Sequence, residues 1–293
     1  MEWLDALILG IVQGLAEYLP VSSSGHLEIF REILGIELPS DKILQFDIIL
    51  HAATVLSTIV VLWPMFSKLI IAFFGFKRDA EYYMVWKILL SCVPIAFVGF
   101  YLKDYIEEFF GGSLLLVGVC LIVTAFLLAF AHFSNPVNLP KRFCRQIPDS
   151  AVIECEEGKM PPEKGRDITW ADAFIIGCAQ ALAVLPGLSR SGTTIATGII
   201  IGDKRSKVAY FSFLMVIIPI LGEALLDLKE LVITPSQQGD TSVGVGALLI
   251  GFVSSFVVGC CACKWMINLV RRGKLVWFSI YCVIMGIICI LWR

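Results

Sequence analysis

Charge is what this sequence has least of. Lys and Arg number 23 and Asp and Glu 25, together 16% of 293 residues, against 58% hydrophobic residues and a mean hydropathy of +0.84. A soluble globule needs more charge than that to cover its surface, so the composition points to an integral membrane protein. No basic segment precedes the first apolar run, which itself carries Asp5, Gln13 and Glu17, so the N-terminus does not read as a cleavable signal. The net charge of −2 leaves no basic footprint for nucleic acid. Ten cysteines are present, but most fall inside apolar runs and read as small packing residues. The C-x-x-C within "CCAC" at 260–263 has no second pair with which to complete a zinc site.

What is there is apolar and repetitive. Six long runs, at 43–66, 83–102, 113–133, 207–228, 243–263 and 275–292, each approach the roughly 20 residues that cross a ~30 Å hydrocarbon core. Trp3, Asp5, Ala6, Ile8, Gly10, Gln13, Leu15 and Ala16 recur 167 positions later as Trp170, Asp172, Ala173, Ile175, Gly177, Gln180, Leu182 and Ala183. Leu19-Pro20 returns as Leu185-Pro186 after a one-residue slip, and Ser24-Gly25 returns in register as Ser191-Gly192. The chain reads as a duplication: a first repeat at 1–133, a linker at 134–169 and a second repeat at 170–293.

Each repeat opens with two short segments, at 2–19 and 23–35 and again at 170–186 and 190–202. A 13-residue helix such as 190–202 reaches only about 20 Å, too short for the ~30 Å core. These pairs are expected to be re-entrant helical hairpins whose Pro-Ser-Gly tips are buried in protein or line a polar cavity. Three crossings per repeat then insert the second repeat upside down, which makes an inverted-topology repeat. The expected fold is an all-α polytopic membrane protein with six transmembrane helices and two re-entrant hairpins. Cations test the orientation independently. The loops after the first, third and fifth long runs, with the segment entering the fourth, hold 17 of the 23 Lys and Arg, so those loops face the cytosol and both termini face out. The Pro-rich linker at 134–169 is expected to be cytosolic, without a catalytic role.

The tips carry the chemistry. Glu17 ends its helix four residues after Gln13, on the same face, where a carboxylate opposes the helix dipole. Arg190 begins a helix, where a cation is equally misplaced. Both misplacements make sense if an anion, with or without a metal ion, binds between the tips. Ser22, Ser23 and Ser24 on one tip, and Ser189, Ser191, Thr193 and Thr194 on the other, supply hydroxyls. Helix N-termini near Ser23 and Arg190 favour phosphate, and Gly25, Gly187 and Gly192 allow close backbone approach. His26 adds a group that exchanges protons near neutral pH. This set can bind a phosphate ester, attack its phosphorus and protonate a leaving oxygen.

Blander readings stand beside these. Intramembrane serines usually bond backbone carbonyls, and Glu17 with Arg190 could be an ion pair that only locks the halves together. Asp5 and Asp172 read as helix caps, His51 as a helix-packing residue and His132 as interfacial. Glu28 shares the short helix after the first tip, and Glu223 needs a polar neighbour that sequence alone does not assign.

"QGLAEYLPVSSSGH" (13–26) and "PGLSRSGTT" (186–194) closely resemble the two signature motifs of the bacterial undecaprenyl-diphosphate phosphatase family, the BacA or UppP family associated with bacitracin resistance. The resemblance extends over the whole chain in length, hydropathy and order of elements. It implies hydrolysis of undecaprenyl diphosphate to undecaprenyl phosphate and inorganic phosphate, which recycles the lipid carrier for cell-wall synthesis. On it, Gln13 and Glu17 fill the first motif, Ser23 and His26 match the family's serine and histidine, and Arg190 its arginine, with Ser189, Ser191 and Thr194 flanking. The catalytic set is then Glu17, Ser23, His26 and Arg190. The resemblance also implies a divalent cation, Mg²⁺ or Ca²⁺, near Glu17, and a site on the outer face of the cytoplasmic membrane. Gln13 departs from the acidic form of the motif and leaves Glu17 as the one charged protein ligand, so substrate phosphates and water complete the shell. Ser23 attacking with His26 as base, and a water activated by His26 or Glu17, both stay open. Expected partners are the polyprenyl diphosphate and membrane lipid, with a homodimer as a further expectation. The rival class is a secondary transporter or flippase that carries an anion or lipid headgroup without cleaving it.

Overall fold

The computed structural model describes residues 1–76, 78–102, 105, 114–134, 165–233 and 243–292, with side chains to Leu226 in the segment that ends at 233. Most of the linker expected at 134–169, and the cations within it up to Lys164, lie outside the described residues. The helices are α1 (Trp3–Ala16), α2 (Ser23–Leu34), α3 (Ser40–Val61), α4 (Trp63–Gly75), α5 (Ala80–Tyr101), α6 (Leu114–Phe133), α7 (Trp170–Leu182), α8 (Arg190–Ile200), α9 (Arg205–Met215), α10 (Ile217–Ile233), α11 (Val245–Arg271) and α12 (Val276–Leu291). Among the described residues there is no strand, only an isolated bridge between Arg166 and Asp203.

Among the described residues, five stretches are long and apolar enough to cross a membrane: Ser40–Val61, Ala80–Tyr101, Leu114–Phe133, Arg205–Leu226 and Val245–Arg271. The protein is a multi-pass, all-helical membrane protein. The sixth expected span, 275–292, is α12, whose 16 residues reach about 24 Å. Other boundaries also shift for local reasons. The run expected at 43–66 breaks at Leu62, because Pro64 has no N–H to continue α3 and instead opens α4. The fourth run breaks at Val216, just ahead of Pro219. The fifth continues past 263 to Arg271 and stops where Gly273 takes a positive φ.

The caps at the two hairpin entrances match. Glu2 N–H donates to Asp5 Oδ2 at 2.9 Å, and Thr169 N–H donates to Asp172 Oδ2 at 2.8 Å, so each aspartate secures the first turn of its helix. Small residues then set the crossings. A Cβ on Gly10 would come 2.6 Å from the Gly251 carbonyl oxygen, and one on Gly14 2.7 Å from that of Ser255, so α1 runs alongside and parallel to α11. Gly177, the copy of Gly10, meets the Ser91 carbonyl in the same way at 2.4 Å and lays α7 along α5. The last helix of each half crosses its counterpart, with Gly118 of α6 and Gly286 of α12 each against the other's carbonyl.

The hairpins enter from opposite ends. Met1, Leu34, Ile36, Leu38 and Val243 gather in one apolar cluster around the start of α1 and α11. At the other end, Lys87 Nζ donates to the Ile168 carbonyl at 2.7 Å, Lys204 and Lys207 pair with Asp167, and Arg205 lies against Gly273 where α11 finishes. Cationic residues of α5 and of the start of α9 thus collect at the end where α7 starts.

Candidate active site

Both tips are built on one local frame. Ser22 Oγ accepts the N–H of Gly25 and caps α2, while Ser189 Oγ accepts that of Gly192 and caps α8. Ser22 takes φ 69 to do so, a left-handed conformation that favours glycine. Ser23 and Arg190 are therefore the first residues of matched helices, 167 positions apart. One frame supplies a hydroxyl there and the other a guanidinium.

The tips touch. Ser191 Oγ donates to the Leu19 carbonyl at 3.2 Å. A Cβ on Gly192 would lie 3.1 Å from Pro20 Cβ, and one on Gly25 3.4 Å from Gly187 Cα. Gly187 has φ +87 and presses on the Val117 backbone of α6, where any side chain would collide at 2.6 Å. Ser189 N–H donates to Thr124 Oγ1 on the same helix. The second tip is thus wedged between α6 and the first.

A cavity of about 480 Å³ opens where they meet. Its polar lining is Glu17, Ser22, Ser23, Ser24, His51, Ser189, Arg190, Ser191 and Glu223. Glu17 Oε2 accepts from Ser23 Oγ at 2.8 Å and from Gln13 Nε2 at 3.0 Å, and His51 Nε2 lies 3.9 Å away. Arg190 is paired with Glu223 on α10 at 3.2 Å. The rival reading of a Glu17–Arg190 lock is not what forms: each of the two has a different partner, and both line the cavity. The apolar part of the lining includes Ile95, Ala96 and Phe100 of α5, Leu185 and Leu188 of the second tip, and Ile218 of α10.

Several expected site residues sit behind the cavity wall. His26 is 4% exposed, donates from Nδ1 to the Ser22 carbonyl at 2.8 Å and accepts at Nε2 from the Tyr281 hydroxyl at 2.7 Å. It does not line the cavity, so no ring nitrogen is aimed at a bound ligand. Gly25, Gly187 and Gly192 shape the backbone contact between the tips. Thr194 Oγ1 donates to the Arg190 carbonyl, and the hydroxyl of Thr193 is buried without a partner among the described residues.

Two residues were not read from the sequence as site residues. His51 read as helix packing because it sits in an apolar span near Asp47, but Asp47 is held by Arg31 and leaves His51 to face Glu17. Glu223 was left unassigned. An intramembrane carboxylate in a chain with an intramembrane arginine was the available signal.

The family model described as bacitracin resistance protein BacA matches residues 6–288. The chain belongs to this family. Among its BacA relatives, proteins named undecaprenyl-diphosphatase from Parabacteroides distasonis and Bacteroides fragilis are 48% and 47% identical over 290 residues, covering 99% of this chain and 98% of theirs. A protein of the same name from Christiangramia forsetii is 39% identical over 292 residues, again 99% of this chain and 98% of its own.

The BacA motifs fall on the contact just described. Gln13 Oε1 is buried with no partner among the described residues while the amide nitrogen serves Glu17. A carboxylate, an orphaned amide oxygen and neighbouring hydroxyls form a set of hard oxygen donors. That set suits a divalent cation whose remaining ligands are phosphate and water.

Proposed function

We propose that this BacA protein hydrolyses undecaprenyl diphosphate to undecaprenyl phosphate and inorganic phosphate, and so recycles the lipid carrier of cell-wall synthesis. The observation that carries it is the contact of the two tips: a serine bonded to a carboxylate on one side, an arginine on the other, in one cavity with a partly apolar lining. Arg190 and the N-termini of α2 and α8 hold the diphosphate. The apolar lining on α5 and α10 takes the first isoprene units.

Ser23 Oγ attacks the terminal phosphorus, its proton passes to Glu17 and the bond to the bridging oxygen breaks, releasing the prenyl monophosphate. The departing prenyl monophosphate takes that proton from Glu17; water then attacks the phosphoserine phosphorus with the freed Glu17 carboxylate as base, the P–Oγ bond breaks, and Ser23 Oγ recovers the proton from Glu17 as phosphate leaves. Glu17 is the base rather than His26, because Ser23 already donates to Glu17 and both nitrogens of His26 are engaged elsewhere. His26 is a positioning residue that fixes the Ser22 carbonyl and with it the tip. Glu17 and Gln13 Oε1 would hold a Mg²⁺ or Ca²⁺ ion, which supplies charge neutralisation on the diphosphate oxygens when bound.

The proposed topology is an inverted repeat of six crossings and two re-entrant hairpins in a bacterial cytoplasmic membrane. Entry of α1 and α7 from opposite ends supports it, and the cationic cluster at the α7 end supports a cytosolic assignment there. The site then opens outward.

Purified protein should release phosphate from a prenyl diphosphate in detergent. Glu17→Ala and Arg190→Ala should each lower kcat/KM by about 10²-fold or more. Release by wild type that both variants retain would refute the assignment of the site.

A further inference from the structure

Arg190 faces a cavity that also has exposed apolar residues in its lining. Phe100 of α5 is 71% exposed, and Ile218 of α10 is 41% exposed. A guanidinium reached from lipid meets phosphodiester headgroups at far higher concentration than any diphosphate. Left alone, it would be occupied by them.

It is not left alone, since Glu223 contacts it at 3.2 Å and lines the same cavity. We infer that Glu223 is a specificity-determining residue that screens Arg190 against singly charged phosphodiester lipids and yields it to a diphosphate. The argument is one of exchange. Replacing a carboxylate by a phosphodiester swaps one single negative charge for another and gains little. A terminal diphosphate brings more charge, and its second phosphate also reaches the hydroxyls and free N–H groups at Ser22, Ser23 and Ser24, so it displaces Glu223 with a net gain. Discrimination of this kind works by weakening the wrong ligand more than the right one. Glu223 lies on α10, outside both signature motifs.

The inference rests on the phosphatase reading and is tested separately from it. KM and kcat for a short prenyl diphosphate are measured in uncharged detergent micelles and in micelles doped with phosphatidylglycerol, for wild type, Glu223→Gln and Glu223→Asp. Wild type and Glu223→Asp should show nearly the same KM in both. Glu223→Gln should show a KM raised about threefold to tenfold by phosphatidylglycerol, a range set by a half-exposed charged pair. Equal sensitivity of wild type and Glu223→Gln to the anionic lipid overturns the proposal, and wild type alone does so if its KM rises as steeply. A Glu223→Gln variant that loses kcat in uncharged micelles with KM unchanged also overturns it, because Glu223 would then act in the chemistry. Absence of phosphate release by wild type in either micelle defeats the phosphatase reading instead.

Discussion

At the scale of single residues, the site divides its labour unequally between two copies of one frame. The position of Glu17 in the first copy is Val184 in the second, and that of Arg190 in the second is Ser23 in the first. The fully buried Gln180 keeps the place of Gln13, yet neither atom of its amide has a partner among the described residues, because the carboxylate is gone. Ser23→Ala should lower kcat by about 10³-fold or more with little change in KM, as expected for an interaction made only during the reaction. His26→Ala should cost less turnover but should lower the thermal unfolding midpoint, since it removes one buried and one partly buried hydrogen bond. Steady-state phosphate release and thermal unfolding in detergent separate the two, and a His26→Ala loss as large as that of Ser23→Ala would return the histidine to the chemistry. His26 shows how far sequence reading reaches: its type and its place at the tip were legible, but the direction of its ring depends on Tyr281, 255 residues away.

At the scale of elements, the crossings depend on residues with no side chain to give up. Gly118→Leu or Gly286→Leu should separate α6 from α12, since even the first added carbon would sit within 3 Å of the opposing carbonyl. Overpacking of this sort costs about 1–3 kcal/mol or more and should appear as a lower unfolding midpoint. The turn between α8 and α9 adds a pH dependence. The Asp203 carboxyl is pushed up to about 8 by its burial and by neighbouring Asp172, against the opposing pull of Arg166. A carboxyl held higher in the folded protein than in the unfolded chain favours the folded state most when protonated. Stability should therefore fall as pH rises from about 4 towards 8, and level off above. Asp203→Asn does not titrate there, so its unfolding midpoint should gain on wild type between pH 5 and pH 8; a constant difference would show that Asp203 is already ionised. Helix positions were legible because apolar runs and caps are local signals. The breaks at Leu62 and Val216 were less so, since a proline within an apolar run can either be carried inside a helix, as Pro94 is in α5, or end it.

At the scale of the whole molecule, the proposed topology can be read chemically. In a variant lacking its native cysteines, Glu37→Cys should react with a membrane-impermeant maleimide added outside intact cells, whereas Lys204→Cys and Lys274→Cys should react only after permeabilisation. Labelling of all three from one side would break the inverted arrangement. The recurring motif 167 positions on and the lysine and arginine bias were visible in the chain because both are patterns over many residues. The pairing of Arg190 with Glu223 was not, since it depends on how α10 rotates after its break. The parallel seating of α1 on α11 also governs the order of assembly. Residues 3–16 are synthesised long before the groove of Gly251, Ser254 and Gly259 that receives them. α1 must therefore wait without its neighbour until α11 has been made. Truncations that remove α11 should strand α1 and mark the nascent protein for degradation.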